Sequence, residues 1–147
     1  MRRAALLGLA LLLLGCERAA PAPPSAPPPP HARVTIGVYV IDAEVADTPA
    51  RKERGLSGRL SLADGAGMLF PYDSPGLYGF WMPDMHFDID ILWMREGRIV
   101  HIEPNVSKDD PQRIYKPRVP ADLVLELPAG SAARRGFAVG DRVDVAG

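Results

Sequence analysis

From Arg33 onward the chain alternates. In RVTIGVYVIDAEVA (33–46) Val34, Ile36, Val38 and Val40 fall at every second position, the period of a strand with one apolar face. The pattern predicts one long strand there. At DTPARKERGL the period changes. Thr48 suits an N-cap, Pro49 the first helical position and Gly55 the closing C′ position, so a helix of about two turns is expected. Arg51 and Arg54 then lie one turn apart on the same side.

GMLFPY (67–72) reads as a short apolar strand broken at Pro71, and DSPG (73–76) as a turn with proline at its second position. In DMHFDIDILWM (84–94) Asp84, His86, Asp88 and Asp90 alternate with Met85, Phe87, Ile89, Ile91 and Trp93. REG (95–97) is a hairpin turn into RIVHIEPNV. SKDDPQRIYKPRVP is a polar, proline-punctuated loop, and DLVLELP another strand. GSAARRG predicts one helical turn capped by Ser131 and closed by Gly136, and FAVGDRVDV two short strands about Gly140-Asp141.

Strands dominate, and no strand alternates with a ten-residue helix as a doubly wound sheet requires. The fold class is therefore mainly β (β-rich α+β): a small antiparallel barrel-like or curled sheet with two short helices, one globular domain over 33–147.

Ahead of that domain the composition changes. MRRAALLGLALLLLGC carries Arg2 and Arg3, an apolar run from Ala4 to Leu14, then Gly15 and Cys16. This is the three-part layout of a secretory signal (1–15). The run is shorter than the roughly 20 residues that span a bilayer. LLGC resembles the lipobox of bacterial lipoproteins, which implies lipid attachment at Cys16. Multiple acyl chains, at about 0.8 kcal/mol per buried methylene, would anchor the chain without a spanning helix. Residues 16–32 then form the lipidated cysteine and a tether, with seven prolines between Pro21 and Pro30. Proline removes donors and sets φ, so an extended spacer is expected, and His31 is counted with it. Export to the envelope follows, and Glu17 after the cysteine leans towards the outer membrane of a Gram-negative cell.

The net charge is −1, and removing Arg2 and Arg3 from 17 basic residues leaves 15 against 18 acidic ones. With no basic tract in the domain, nucleic acid is not an expected partner. Cys16 is the one cysteine, which excludes a disulfide, a thiolate nucleophile or a cysteine metal ligand from the domain.

ERGLSGRL, GMLF, FWM, DIDILWM, PADLVLEL, PAG and GDRV, in this order over residues 36 to 145, resemble the domain-of-unknown-function 192 family of bacterial and archaeal proteins. The resemblance implies a compact β-rich domain, often exported or lipid-anchored, with no established activity. Two positions depart from the family pattern: Ser57, where methionine is usual after leucine, and Asp88, where proline is common.

The aspartate row raises the question of a metal. His86 with Asp88, or Asp88 with Asp90, lie about 6.6 Å apart on a strand and could share an ion. Four ligands in one row cannot converge on it, and no second His/Asp/Glu cluster has comparable spacing. A solvated face for Asp84, His86 and Asp88 is the simpler reading, and no metal or cofactor is expected. Asp90 differs: beyond it Leu92 and Met94 continue its face while Ile89, Ile91 and Trp93 occupy the other. A buried carboxylate needs a cation and donors, and Arg54 or Arg59 are the expected partners, in a bidentate pair.

One reading makes that pair structural. Another makes it the polar floor of a ligand site walled by Trp81, Tyr78, Phe80 and Tyr72, with Tyr115 of the positively charged loop contributing. The serines lack a nucleophile-elbow context, and spacing joins neither His86 nor His101 to a serine. The sequence thus favours binding of a small molecule or envelope glycan or peptide over catalysis. A hydrolase using Asp90 and Glu126 as paired carboxylates and a structural partner protein are the alternatives.

Overall fold

A computed structural model describes residues 27–147. The expected signal segment, Cys16 and the first part of the proline tract lie outside the described residues.

The elements run β1 (His31–Ile36), β2 (Tyr39–Val45), α1 (Pro49–Arg54), β3 (Ala66–Gly76), β4 (Ile89–Arg95), β5 (Arg98–Val106), β6 (Ala121–Pro128), α2 (Ser131–Arg135) and β7 (Val143–Ala146). Seven strands form one sheet in the order β5-β4-β6-β3-β2-β1-β7. Neighbours are antiparallel except β2 and β3, which run parallel across the α1 crossover. The sheet curls until its two edges touch: Arg98 bridges Arg142, and the Val143 N–H donates to the Gly97 carbonyl at 2.8 Å. The fold is mainly β with two short helices, as the pattern predicts.

Both faces of the sheet are covered. Val34, Ile41, Leu69, Leu92, Ile99, Leu125 and Val143, one from each strand, meet inside the curl. The outer face carries a second core, in which Phe70, Ile91, Trp93 and Val124 pack under Leu56, Phe80, Met82 and Tyr115. Strand β4 contributes to both, which is why it is buried from Ile89 to Met94.

Several local expectations change. The long strand over 33–46 is a hairpin, turning at Gly37 with φ +60°. The alternation continues past the turn with Val38 and Val40, which are exposed, so periodicity alone hides the reversal. His31 belongs to β1 rather than to a tether, its Nδ1 2.9 Å from Asp42. The prolines before it also join the fold: the Pro30 carbonyl accepts the Val45 N–H at 2.7 Å, and Arg51 donates to the Pro27 carbonyl at 3.0 Å.

Strand β3 runs through Pro71 to Gly76, with an irregularity in its pairing between them. Leu69 faces β2, since its carbonyl accepts the Ala46 N–H. Two residues on, Pro71 faces the same side beyond the end of β2, where no ladder donor is required. Residues 84–88 form no strand. Asp84 has φ +52°, and the carbonyls of Pro83 and Asp84 accept from Ser57 Oγ and Gly58 N. Those contacts to the loop after α1 replace a strand ladder. Phe137–Val139 is not strand either, because Asp141 Oδ2 accepts the Ala138 N–H at 2.9 Å and folds the segment into a turn.

Helix α1 follows its signals: Thr48 Oγ1 accepts the Arg51 N–H at 3.2 Å, Pro49 opens the helix and Gly55 closes it at φ +51°.

Candidate functional site

Asp90 is fully buried, as both apolar faces of β4 predict. Its partners are not arginines. Oδ1 accepts the N–H groups of Asn105 at 2.9 Å and Gly130 at 3.0 Å, and Oδ2 accepts the Ala132 N–H at 2.8 Å. Gly130, at φ +76°, is the N-cap of α2 and has no side chain to cap it. Asp90 supplies that cap from another strand, so Ser131 is not the cap the sequence suggested. A carboxylate facing three backbone donors at a helix start is satisfied without a guanidinium. The expected bridge to Arg54 or Arg59 is therefore corrected: Asp90 pins α2 and β5 to β4, facing the inner core.

Arg59 instead grips Glu44 of β2 with both nitrogens, Nη2 to Oε2 at 2.6 Å and Nη1 to Oε1. That pairing holds the Glu44 carboxyl below its usual range. Arg54 is exposed, and among the described residues its side chain makes no ion pair.

Glu126 is the carboxyl with a different fate. In the ladder Asp90 pairs with Leu127 and Ile91 with Glu126, so successive residues put the two acids on opposite faces of the sheet. Asp90 faces inward, and Glu126 faces the outer core beside Met68 and Ile91. A paired-carboxylate hydrolase built on Asp90 and Glu126 is thereby excluded, since no single cleft reaches both. Glu126 is 5 % exposed, and its Oε2 has no hydrogen-bond partner. Burial pushes its carboxyl up to about 8, with Arg59 pulling weakly the other way.

Glu126 opens into a cleft of about 280 Å³ between α1, β3 and the segment 79–85. Phe70, Tyr72, Phe80 and Trp81 wall it, and Lys52 and Arg54 of α1 stand along it. Trp81 is 52 % exposed, a rim position in keeping with its irregular GFWMP context. Tyr72 stacks on Tyr78 with ring centroids 3.5 Å apart, and Lys52 Nζ lies 4.3 Å from the Tyr72 ring centroid. Burial, with the neighbouring Tyr78 and Glu126, pushes the Tyr72 hydroxyl up to about 12, so it stays neutral.

The structure thus brings Arg54 and Trp81 together and leaves Asp90 on the other side of the sheet. Tyr115 is buried and exchanges backbone hydrogen bonds with Phe80 at 2.8 and 2.9 Å. It supports the wall from behind and does not line the cleft, which corrects its assignment to the site. Asp84, His86 and Asp88 are exposed; Asp88 Oδ1 accepts the Lys108 N–H at 2.9 Å. Among the described residues no three His, Cys, Asp or Glu gather as ion ligands. Lys52 and Glu53 are charged cleft residues that the sequence did not single out, and their place on α1 beside Arg54 was the available signal.

Comparison with known proteins adds a family. The model of the domain-of-unknown-function 192 family, described as an uncharacterized ACR, matches residues 32–145. No curated protein matches the chain. A Sinorhizobium meliloti 1021 protein, described as a candidate transcription regulator, is similar at 29 % identity and TM-score 0.72, over 78 % of this chain and 92 % of that one. A Novosphingobium aromaticivorans DSM 12444 protein of unknown function is similar at 32 % identity and TM-score 0.71, over 78 % of this chain and 83 % of that one. With its family model matched across the whole β-rich domain, this chain belongs to the domain-of-unknown-function 192 family.

Proposed function

We propose that this protein is a lipid-anchored envelope protein whose domain binds a small ligand in the Glu126–Trp81 cleft. The observation that carries the binding reading is Glu126 Oε2, buried without a hydrogen-bond partner at the wall of an open, aromatic-lined cleft. Leaving a buried polar atom unpaired costs about 1–3 kcal/mol, and a ligand that supplies the missing partner recovers it. Aromatic walls with a few polar groups are the ordinary make-up of small-molecule sites, and the volume suits a ligand at the small end of that range.

The anchor rests on LLGC and the single Cys16. One similar structure is described as a candidate regulator of transcription; the 15 basic and 18 acidic residues after Arg2 and Arg3 give this chain no net positive charge of the kind that favours nucleic acid. The test is a thermal-shift screen against envelope sugars, peptides and amino acids. A compound that stabilises the wild type, and stabilises Glu126→Gln and Trp81→Ala much less, supports the cleft as the site. Equal stabilisation of all three proteins, or none of any by any compound, overturns it.

A further inference from the structure

Four features of the cleft bear on its ligand. At its wall a carboxyl oxygen lacks a partner. The nearby cation, Arg59, is committed at both nitrogens to Glu44. Phe80 and Trp81 line the cleft beside Tyr72, whose ring is already covered by Tyr78 and by Lys52. Along α1, finally, Arg54 is exposed with no ion pair among the described residues, and Lys52 is held only on the Tyr72 ring. The first three features favour a positive group deep in the cleft, because a buried carboxyl oxygen without a partner, beside an arginine committed elsewhere, is paired best by an ammonium with its three donors. The fourth disfavours a bare cation, since two side-chain cations would repel it, and asks for an anionic group at the α1 side.

Resting on the binding role given to this cleft, we propose that it takes a small zwitterion, with a primary ammonium against Glu126 and a carboxylate against Arg54, the chemistry of a free α-amino acid or of a peptide end. A single residue-sized ligand matches the volume of about 280 Å³. Among the described residues no three His, Cys, Asp or Glu gather at the cleft, too few ligands for a metal ion.

The charge balance has a measurable consequence. In the empty cleft the Glu126 carboxyl, raised to about 8, holds its proton at neutral pH. The charged and titratable groups around it are Arg59 with its partner Glu44 on the same sheet face, the neutral Tyr72 hydroxyl, and Lys52, Glu53 and Arg54, which line the same cleft from α1. An arriving ammonium favours the ionised carboxylate, so binding releases close to one proton at pH 7.

The test is titration calorimetry of the full chain at pH 7, in two buffers of different ionisation heat. The probes are glycine, leucine, phenylalanine and glutamate, their N-acetyl and amide forms, the dipeptides Ala-Ala and Phe-Ala, and N-acetylglucosamine. At least one amino acid or dipeptide is expected to bind with proton release. Removing its ammonium by acetylation, or its carboxylate by amidation, is expected to weaken binding at least tenfold. Glu126→Gln is expected to abolish the proton release, and Arg54→Ala to equalise acid and amide. Preference for free amino acids over dipeptides, or the reverse, identifies the source. If acetylated and free forms bind alike, or only N-acetylglucosamine binds, the zwitterion is wrong while the cleft remains a binding site. If none of these probes binds the wild type, the zwitterion is wrong, and the binding role itself then falls on the wider thermal-shift screen.

Discussion

At the scale of single residues, two buried carboxyls on neighbouring strands have opposite physics. Asp90 meets three backbone donors, and Glu126 Oε2 meets none. Asp90→Asn replaces one acceptor oxygen by a donor amide facing N–H groups. Its cost is expected at roughly 2–4 kcal/mol, from one or two lost charge-assisted bonds and their stranded donors, measurable by urea unfolding. Glu126 behaves otherwise. Its folded carboxyl titrates near 8 against an ordinary value of 4.5, so between those values the folded state holds a proton that the unfolded chain has released. Stability at this group is therefore full below the ordinary carboxyl value and falls as pH rises through about 8, by about 1.4 kcal/mol per pH unit at most. Unfolding from pH 5 to pH 8.5 should show the wild type losing stability more steeply than Glu126→Gln, with the variant the more stable at pH 8.5. Parallel curves would mean that Glu126 is already ionised or solvated.

At the scale of elements, what the sequence disclosed depended on whether the signal was local. Helix α1 was legible because Thr48, Pro49 and Gly55 act within a few residues of one another, and the β4–β5 turn because Glu96-Gly97 supplies two left-handed positions, at φ +51° and +67°. The β1–β2 reversal was not, because valines continued the alternation through Gly37. The burial of Asp90 was legible from the apolar faces of β4, but its partners were backbone N–H groups, which leave no side-chain trace in a sequence. Likewise the alternation of LVLEL set Glu126 apart from its leucines, whereas only the ladder register, Ile91 opposite Glu126, put it on the other face from Asp90. Helix α2 tests how far this mutual capping matters. Gly130 and Gly136 both have positive φ, but a Cβ at Gly130 would lie 2.7 Å from Arg134 Nη1, whereas one at Gly136 would meet nothing within 4 Å. Gly136→Ala is expected to cost about 1 kcal/mol, the ordinary left-handed penalty. Gly130→Ala meets only the far end of the flexible Arg134 side chain and is expected to cost a similar amount, less than additively when combined with Asp90→Asn, because both loosen the same N–H contact. Additive costs in a double-mutant cycle would show that Asp90 and the α2 start are independent.

At the scale of the whole molecule, the sheet is folded by two cores on its two faces, and the cleft belongs to the outer one. Both cores are built from residues at or after Ala32. The described domain, from Pro27 onward, already enlists the last prolines of the tract through Pro30 and Arg51, while the single cysteine lies eleven positions before Pro27. Anchoring and folding should therefore separate cleanly. Cys16→Ser removes the thiol to which acyl chains would attach, and with it the expected anchor. Expressed in a Gram-negative host, the wild type is expected in the membrane fraction and labelled by a fatty-acid analogue. The variant should be unlabelled and absent from lipid-bearing membranes, yet its thermal unfolding midpoint is expected to match that of the wild type in detergent to within about 2 °C, the shift of a substitution worth no more than about 0.5 kcal/mol. Labelling of the variant, or its retention by the membrane after a salt and carbonate wash, would remove the case for Cys16. A lowered midpoint would instead mean that the segment around the cysteine packs on the domain, and that tether and fold are one unit.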